Sequence, residues 1–223
     1  MIEKKIIFIG AGDFGREIMY SALDQNLSVS ENTWKPIAFI DEDPAKIGTK
    51  LEGIDVIALE EVKALADKDT YFIVTVGSPY NKEAVINKLL GVVEHAKFAK
   101  VIHRCAEIMP NTKIEDGVYI GPHTTIAIGC HIKFQASINF NVSMGHDCVI
   151  GEYAVVGPGC LLSGHTEIAK KVYLGSGVIT YPNVKIGNES AVSAGIAVSR
   201  SIPDFKKMIL KPNTMTIPAQ GAK

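Results

Sequence analysis

From Ile102 the chain reads IHRCAEIMPNTKIEDGVYIG, ending at Gly121, and within it an aliphatic residue returns at every sixth position: Ile102, Ile108, Ile114, Ile120. The series runs on through Ile126, Ile132, Ile138, Met144, Ile150, Val156, Leu162, Ile168, Leu174, Ile186, Val192 and Val198, and Thr180 is its only break. Neither the helical period of 3.6 nor the strand period of 2 produces this pattern. A second series, four residues further on, is small or β-branched, from Ala106 and Thr112 through Cys130, Cys148 and Cys160 to Ile196. Such hexads are the repeat of a β-solenoid. Each hexad forms one short flat face, and three faces close a triangular coil of eighteen residues. Residues one coil apart then stack in columns at roughly the 4.8 Å strand spacing. The two series fill the interior of the prism, so the C-terminal part of the chain reads as a parallel β-helix.

Outward from this repeat, the N-terminal part has another grammar. Residues 4–10, KKIIFIG, read as a buried strand, and Gly10-Ala11-Gly12-Asp13-Phe14-Gly15 matches G-x-G-x-x-G before a helix expected from about Arg16. A strand at Pro36 to Ile40 ends in Asp41-Glu42-Asp43, where a carboxylate can meet a ribose hydroxyl. Further elements are expected as a strand near Asp55 to Ile57, a helix from Leu59 to Ala66, a strand from Tyr71 to Val76, a helix from Asn81 to Leu90 and a strand near Phe98 to Val101. Alternating strands and helices imply a small parallel α/β sheet, a Rossmann-like domain over residues 1–100 followed by the β-helix over residues 101–223. With one glycine turn and about 100 residues, it suits a nucleotide mono- or diphosphate better than a complete dinucleotide. The alternative is that the glycines serve only the tight turn.

Composition narrows the partners. The 223 residues are 47% hydrophobic and 21% charged with a net charge of −1, as in a soluble globular protein, and no basic block recommends nucleic acid or a membrane surface. The run Met1 to Ile9 is too short for a signal sequence, and no apolar stretch approaches the ~20 residues of a membrane helix, so the cytoplasm is the expected compartment. Cys130, Cys148 and Cys160 fall on the small series and are expected in the core as thiols.

Because the prism interior is packed, chemistry belongs to its outside. His146-Asp147 is the leading candidate: an imidazole can take a proton near neutral pH, and an adjacent carboxylate can orient it and stabilise its charged form. Gly164 lies one coil above His146, where a free backbone N–H is unobstructed, and His165 lies one coil above Asp147. The competing reading of His146 is a solvent-exposed loop histidine. A column of Asn139, Gly157, Gly175 and Ser193, beside one of Phe140, Pro158, Ser176 and Ala194, outlines a shallow groove suited to an extended chain such as pantetheine; corners that simply prefer glycine are the alternative.

With these residues in hand, the whole chain resembles the bacterial sialic acid O-acetyltransferases and the nucleotide-linked 4-amino-sugar N-acetyltransferases grouped with them, the NeuD/PglD-like sugar acyltransferases of the hexapeptide-repeat class. The resemblance is carried by Gly10 to Gly15, by Phe39-Ile40-Asp41-Glu42-Asp43-Pro44 and, most specifically, by His146-Asp147-Cys148-Val149-Ile150-Gly151-Glu152 and the region of Gly175. It implies that the solenoid is left-handed, that His146 is the base supported by Asp147, and that the Gly164 amide faces the acetyl carbonyl. Gly10, Asp13, Phe14, Asp41 and Glu42 would line the nucleotide pocket, with Asn139 near the substrate. Acetyl-CoA would lie between prisms of a homotrimer, with His165, Gly175, Ser176 and Ala194 as donor-binding positions. Two departures stand out: Gly145 precedes the histidine where many relatives carry an acidic residue, and the tail Ile209-Leu210-Lys211-Pro212-Asn213-Thr214 differs from their Gly-Asn-Pro-Ala segment.

The expectation is an acetyl-CoA-dependent acyltransferase acting on an amino or hydroxyl group of a nucleotide-linked sugar in surface glycan synthesis. A non-catalytic nucleotide-sugar-binding or scaffold protein is the alternative. A metal-dependent hydratase is disfavoured, since His103, His123, His131, His146 and His165 occupy different columns, and no metal is expected. An NAD-dependent oxidoreductase would need a larger substrate domain.

Overall fold

The structure, a computed structural model, describes residues 2–28 and 32–210. The N-terminal part comprises β1 (Ile2–Ile9), α1 (Asp13–Gln25), β2 (Asn32–Ile40), β3 (Lys50–Leu51), β4 (Ile54–Ile57), a 3₁₀ turn (Leu59–Glu61) running into α2 (Val62–Leu65), β5 (Thr70–Val74), α3 (Pro79–Val92) and β6 (Lys97–Phe98). Its sheet order is β3-β4-β2-β1-β5-β6, parallel except for the β3–β4 hairpin. The central strand is covered on both faces, which is why Ile6, Ile7 and Phe8 form an unbroken apolar run.

Several boundaries differ from the sequence reading: β2 begins at Asn32 rather than Pro36, β5 ends at Val74 rather than Val76, α3 runs two residues further at each end, and three further differences bear on the fold. Helix α1 starts at Asp13 rather than near Arg16, because Gly12 takes the cap position and the Asp13 carboxylate suits the positive end of the helix dipole. Gly15 therefore lies inside the first turn, where an added Cβ would fall 2.4 Å from the Gly10 carbonyl oxygen. The segment expected as a helix from Leu59 to Ala66 is a 3₁₀ turn and a single α-turn. The strand expected near Phe98 to Val101 is divided: Phe98 ends the α/β sheet, and Val101 opens the solenoid.

From Val101–Ile102 to Lys207–Met208 the chain forms two-residue strands in three parallel sheets of seven, six and five strands. Pairs such as Ile120 with Ile138, Met144 with Leu162 and Ile150 with Ile168 give an eighteen-residue register, shortened to sixteen only in the last coil, where Val192 pairs with Met208 and Ile186 with Ile202, and the architecture is a left-handed parallel β-helix. Residues of both hexad series fill the prism, each fully buried large aliphatic contributing about 1.5–3 kcal/mol. The three core thiols are buried as expected, and each donates a weak hydrogen bond to a backbone carbonyl. A third regularity was not visible in the sequence. From Asn111 to Gly195 every sixth residue is left-handed, with φ between 53° and 76°, and these residues make the turns between faces. Asp147 and His165 are two of them, and Asp, Asn and His tolerate that conformation better than most side chains.

The two parts share apolar clusters. Ile6, Phe8 and Phe39 pack with Ala99, Val101 and Tyr119, while Phe134 of the β-helix stacks edge-on against both Phe98 and Tyr153. Helix α3 adds polar anchors. Glu83 pairs with Lys170 and Lys171 at 2.7 and 2.6 Å, which hold its carboxyl down at about 2. Lys82, 1% exposed, donates from Nζ to the Gln135 carbonyl at 2.8 Å and to Ser137 Oγ at 2.7 Å.

Burial pushes the Lys82 amine down to about 7. Between that value and the ordinary lysine range the unfolded chain binds the extra proton, so stability from this residue rises with pH. Urea unfolding of wild type against Lys82→Met should therefore show the wild type gaining on the variant between pH 7 and pH 9.5, values chosen to bracket about two and a half units of that window. A constant difference would mean that Lys82 stays charged when buried.

Candidate active site

His146 and Asp147 occupy a corner between two faces of the prism, directly after the strand Ser143–Met144. Asp147 is in the left-handed conformation, with its N–H donated to the Ile128 carbonyl of the coil below. Its side chain turns back so that Oδ2 accepts a hydrogen bond of 2.9 Å from His146 Nδ1. This fixes the tautomer and leaves Nε2 to accept a proton. Both side chains are about half exposed, at 56% and 51%, so an acceptor can reach the base.

The corner is shaped by close approach of backbone. A Cβ on Gly164 would lie 2.8 Å from His146 Nε2 and 2.9 Å from Cε1, so the imidazole lies flat over this glycine. A Cβ on Gly145 would lie 2.6 Å from the Gly164 nitrogen. That contact explains Gly145: an acidic side chain here would have to displace the next coil, and Asp147 alone carries the imidazole. Among the described residues the Gly164 N–H donates to no acceptor, whereas the Gly145 N–H is taken by Leu162. One unpaired amide and one unpaired imidazole nitrogen thus share the same few ångströms.

His165 is placed against this pair and not in the groove of Gly175, Ser176 and Ala194, because its column is that of Asp147. Its ring meets the His146 ring edge-on at 4.9 Å and 89°, its N–H donates to the His146 carbonyl, and its Nε2 is 4.0 Å from Asp147 Oδ2. The separation of histidines by column is also corrected: adjacent columns meet at one corner, bringing ligand atoms of His146, Asp147 and His165 within 4.8 Å of one another.

Gly175, Ser176 and Ala194 do come together, in a cleft of about 720 Å³ on another corner. Its far wall is the end of the β5–α3 connection and the start of α3, Gly77 to Tyr80, and it also includes Tyr173 and Lys207. Sequence reasoning missed these residues, although the carboxyl ends of parallel strands are where ligands bind in such sheets. Asn139 lies on the same corner, and its Oδ1 accepts the Phe140 N–H at 2.8 Å. Residues 211–214 of the tail segment lie outside the described residues.

In the N-terminal domain, Gly10, Asp41 and Glu42 line a cleft of about 200 Å³ together with Asn81 and Lys88, both unforeseen. Burial raises the Asp41 carboxyl, but hydrogen bonds from the Asp43 N–H, Lys46 Nζ and the Ala11 N–H outweigh it and hold it below the ordinary value. Asp41 therefore ties the glycine turn to the end of β2. Glu42 pairs with Lys88 at 2.6 Å at the rim. Asp13 projects into solvent, pairing among the described residues with Arg16, and Phe14 packs edge-on against Tyr119 of the β-helix at 5.6 Å; neither lines this cleft.

Gly164→Ala is expected to keep the fold but push the imidazole off its seat, lowering turnover by about 10², the usual cost of an ångström-scale misplacement. Turnover within twofold of wild type would refute the close packing of His146 on Gly164.

Residues 5–89 match the PglD N-terminal domain. Over 170 residues, 76% of this chain and 75% of the relative, the chain is 26% identical to GDP-perosamine N-acetyltransferase of Escherichia coli O157:H7. Among solved structures it is similar to a variant of perosamine N-acetyltransferase from Caulobacter crescentus in complex with CoA and GDP-perosamine, with a TM-score of 0.79, 23% identity and coverage of 91% of this chain and 92% of that one. WeeI from Acinetobacter baumannii AYE is similar with a TM-score of 0.78 and 23% identity over 94% of this chain and 98% of its own. At such identity the structural likeness speaks for the fold. The chain thus joins a match to the PglD N-terminal domain over residues 5–89 to a left-handed β-helix, and over three quarters of its length it is similar to a GDP-perosamine N-acetyltransferase.

Proposed function

We propose that this acyltransferase moves an acetyl group from acetyl-CoA to an amino group of a nucleotide-linked sugar, a hydroxyl being the other acceptor the same chemistry serves. The observation that carries the reading is the His146–Asp147 pair seated over the unpaired Gly164 amide. The similar enzymes named above, one an acetyltransferase for a GDP-linked sugar and one in complex with CoA and GDP-perosamine, support the substrate classes.

In this mechanism the acceptor nitrogen attacks the thioester carbonyl while His146 Nε2 removes its proton. Asp147 stabilises the imidazolium through Nδ1–H. The oxyanion of the tetrahedral intermediate is received by the Gly164 N–H, a kind of contact on the order of 3 kcal/mol when well placed. Collapse breaks the carbon–sulfur bond, and His146 returns the proton to the departing thiolate.

Within one chain the base and the Gly175 cleft stand on different corners, and the nucleotide cleft contains no β-helix residue. The face between those corners exposes Leu161 and Ile179 at 47% and 42%, with Tyr181 and Ile128 at its edge at 52% and 48%. A second copy packed on this face would cover it and bring a donor cleft to the base. A homotrimer is the reading we favour, acting in the cytoplasm in glycan synthesis. No helix among the described residues is long and apolar enough to cross a membrane.

Incubation with acetyl-CoA and UDP-, GDP- and dTDP-linked 4-amino sugars should release thiol. His146→Ala should lower turnover by at least ~10² while leaving acetyl-CoA affinity within twofold. A variant that turns over like the wild type removes His146 from the mechanism. Sedimentation should give three chains per particle, and an active monomer would overturn the assembly.

A further inference from the structure

The single break in the aliphatic series lies behind the active site. Thr180 is fully buried in the prism at a position the repeat otherwise gives to a large aliphatic residue. Its hydroxyl is not left unpaired. Thr180 Oγ1 accepts the Ser163 N–H at 3.2 Å and lies 2.8 Å from Thr166 Oγ1, and Thr166 Oγ1 in turn donates to the Ser163 carbonyl at 2.6 Å. Because the Thr166 proton goes to that carbonyl, the proton between the two hydroxyls belongs to Thr180. The three bonds form a closed ring around Ser163.

Ser163 is the residue before Gly164, so its carbonyl and the Gly164 N–H are the two ends of one planar peptide group. Whatever holds the carbonyl aims the N–H. Elsewhere in the prism the small-series donors serve the coil above: Thr112 donates to Ala127, Thr124 to Asn139, Cys130 to Gly145 and Cys160 to Gly175, each fifteen residues on. Cys148 follows the same rule and also reaches the Ser163 carbonyl, at 3.3 Å. Thr166 departs from it and turns back three residues, with Thr180 on its other side. The Ser163 carbonyl therefore receives a hydroxyl and a thiol, while the Ser163 N–H, on the preceding peptide, is shared between the Thr180 hydroxyl and carbonyl oxygens. Hydrogen bonds to a carbonyl polarise the whole amide, and a polarised amide is a stronger donor at its N–H.

We propose that Thr180 and Thr166 are positioning residues for the acyl-transfer reaction: through the Ser163–Gly164 peptide they aim and strengthen the N–H that receives the oxyanion. This rests on the role given to Gly164 above. The buried hydroxyl pair is then the reason that a column built for aliphatic side chains carries a polar one at this coil.

The test is Thr180→Val, which restores the aliphatic pattern, with Thr180→Ser as the conservative control. In the full-length protein Thr180→Val should melt at or above the wild-type temperature, yet its kcat should fall about tenfold, well short of the ~10²–10³ lost with an oxyanion donor itself. KM for acetyl-CoA should stay within twofold, and Thr180→Ser should recover most of kcat. A merely structural threonine predicts the reverse: lower stability with kcat preserved. Independently of turnover, the Gly164 amide proton in ¹⁵N-labelled protein should move upfield in Thr180→Val and return in Thr180→Ser. Wild-type kcat in Thr180→Val, or an unmoved Gly164 resonance, overturns the inference. If the wild type acetylates none of the sugars, the function proposed above fails by that result, while the amide resonance still decides whether Thr180 sets this peptide.

Discussion

Everything in the C-terminal half depends on one constraint, the eighteen-residue parallel register that stacks each corner on the corner below. Main-chain hydrogen bonds run from coil to coil at every face and turn, so a residue has its neighbours chosen by arithmetic. His146 meets Gly164 and Asp147 meets His165 for this reason. The left-handed residue at each corner is part of the same constraint, since it turns the chain through the edge while keeping its N–H bonded to the coil below. A site assembled on such a corner has its backbone fixed by these hydrogen bonds and can hold an imidazole against a main-chain amide to a precision of about 0.5 Å, as the proposed base and oxyanion chemistry requires.

Rigidity of the prism also explains how the N-terminal domain is held. It is not tethered by a linker: Phe98 leaves one sheet and Val101 enters the next, and the aromatic cluster of Phe98, Phe134 and Tyr153 bridges the junction. Helix α3 adds a buried amine and a carboxylate clamped by two lysines, both directed at a neighbouring corner of the β-helix. The β5–α3 connection and the first turn of α3 consequently lie between two clefts. Val76 and Asn81 belong to the one near Gly10 and Asp41, and Gly77 to Tyr80 to the one near Gly175. The two clefts proposed for the substrates thereby share walls made from one segment, on a domain whose orientation to the prism is set by packing.

The glycines illustrate how steric need and chemistry coincide. Gly145 and Gly164 can be read as turn residues, but the space their missing Cβ atoms leave is occupied by the next coil and by the imidazole ring. The absence of an acidic residue before His146 then has a geometric cause. The pair His146–Asp147 is joined by a second imidazole at the Asp147 column, and the three side chains form one polar cluster.

The sequence by itself determined the repeat, the prism, the columns and the glycine turn of the front domain, because a period of six and a strand–turn–helix signature are properties of neighbours along the chain. It also brought His146, Asp147 and Gly164 into one place, since stacking turns a spacing of eighteen into contact. The remainder needed the folded molecule. Whether His165 faces the base or the donor groove, and whether Phe14 faces a ligand or Tyr119, depends on which way a side chain leaves a corner or a helix. The cleft containing Tyr80 and Lys207 arises from the docking of one domain on another, and the one containing Asn81 and Lys88 from the packing of α3 beside the ends of β1 and β2; one-dimensional spacing holds no record of either. Thr180 shows the limit most sharply: in the sequence it is a flaw in a pattern, and only the tertiary structure places its hydroxyl against the peptide that carries the Gly164 N–H.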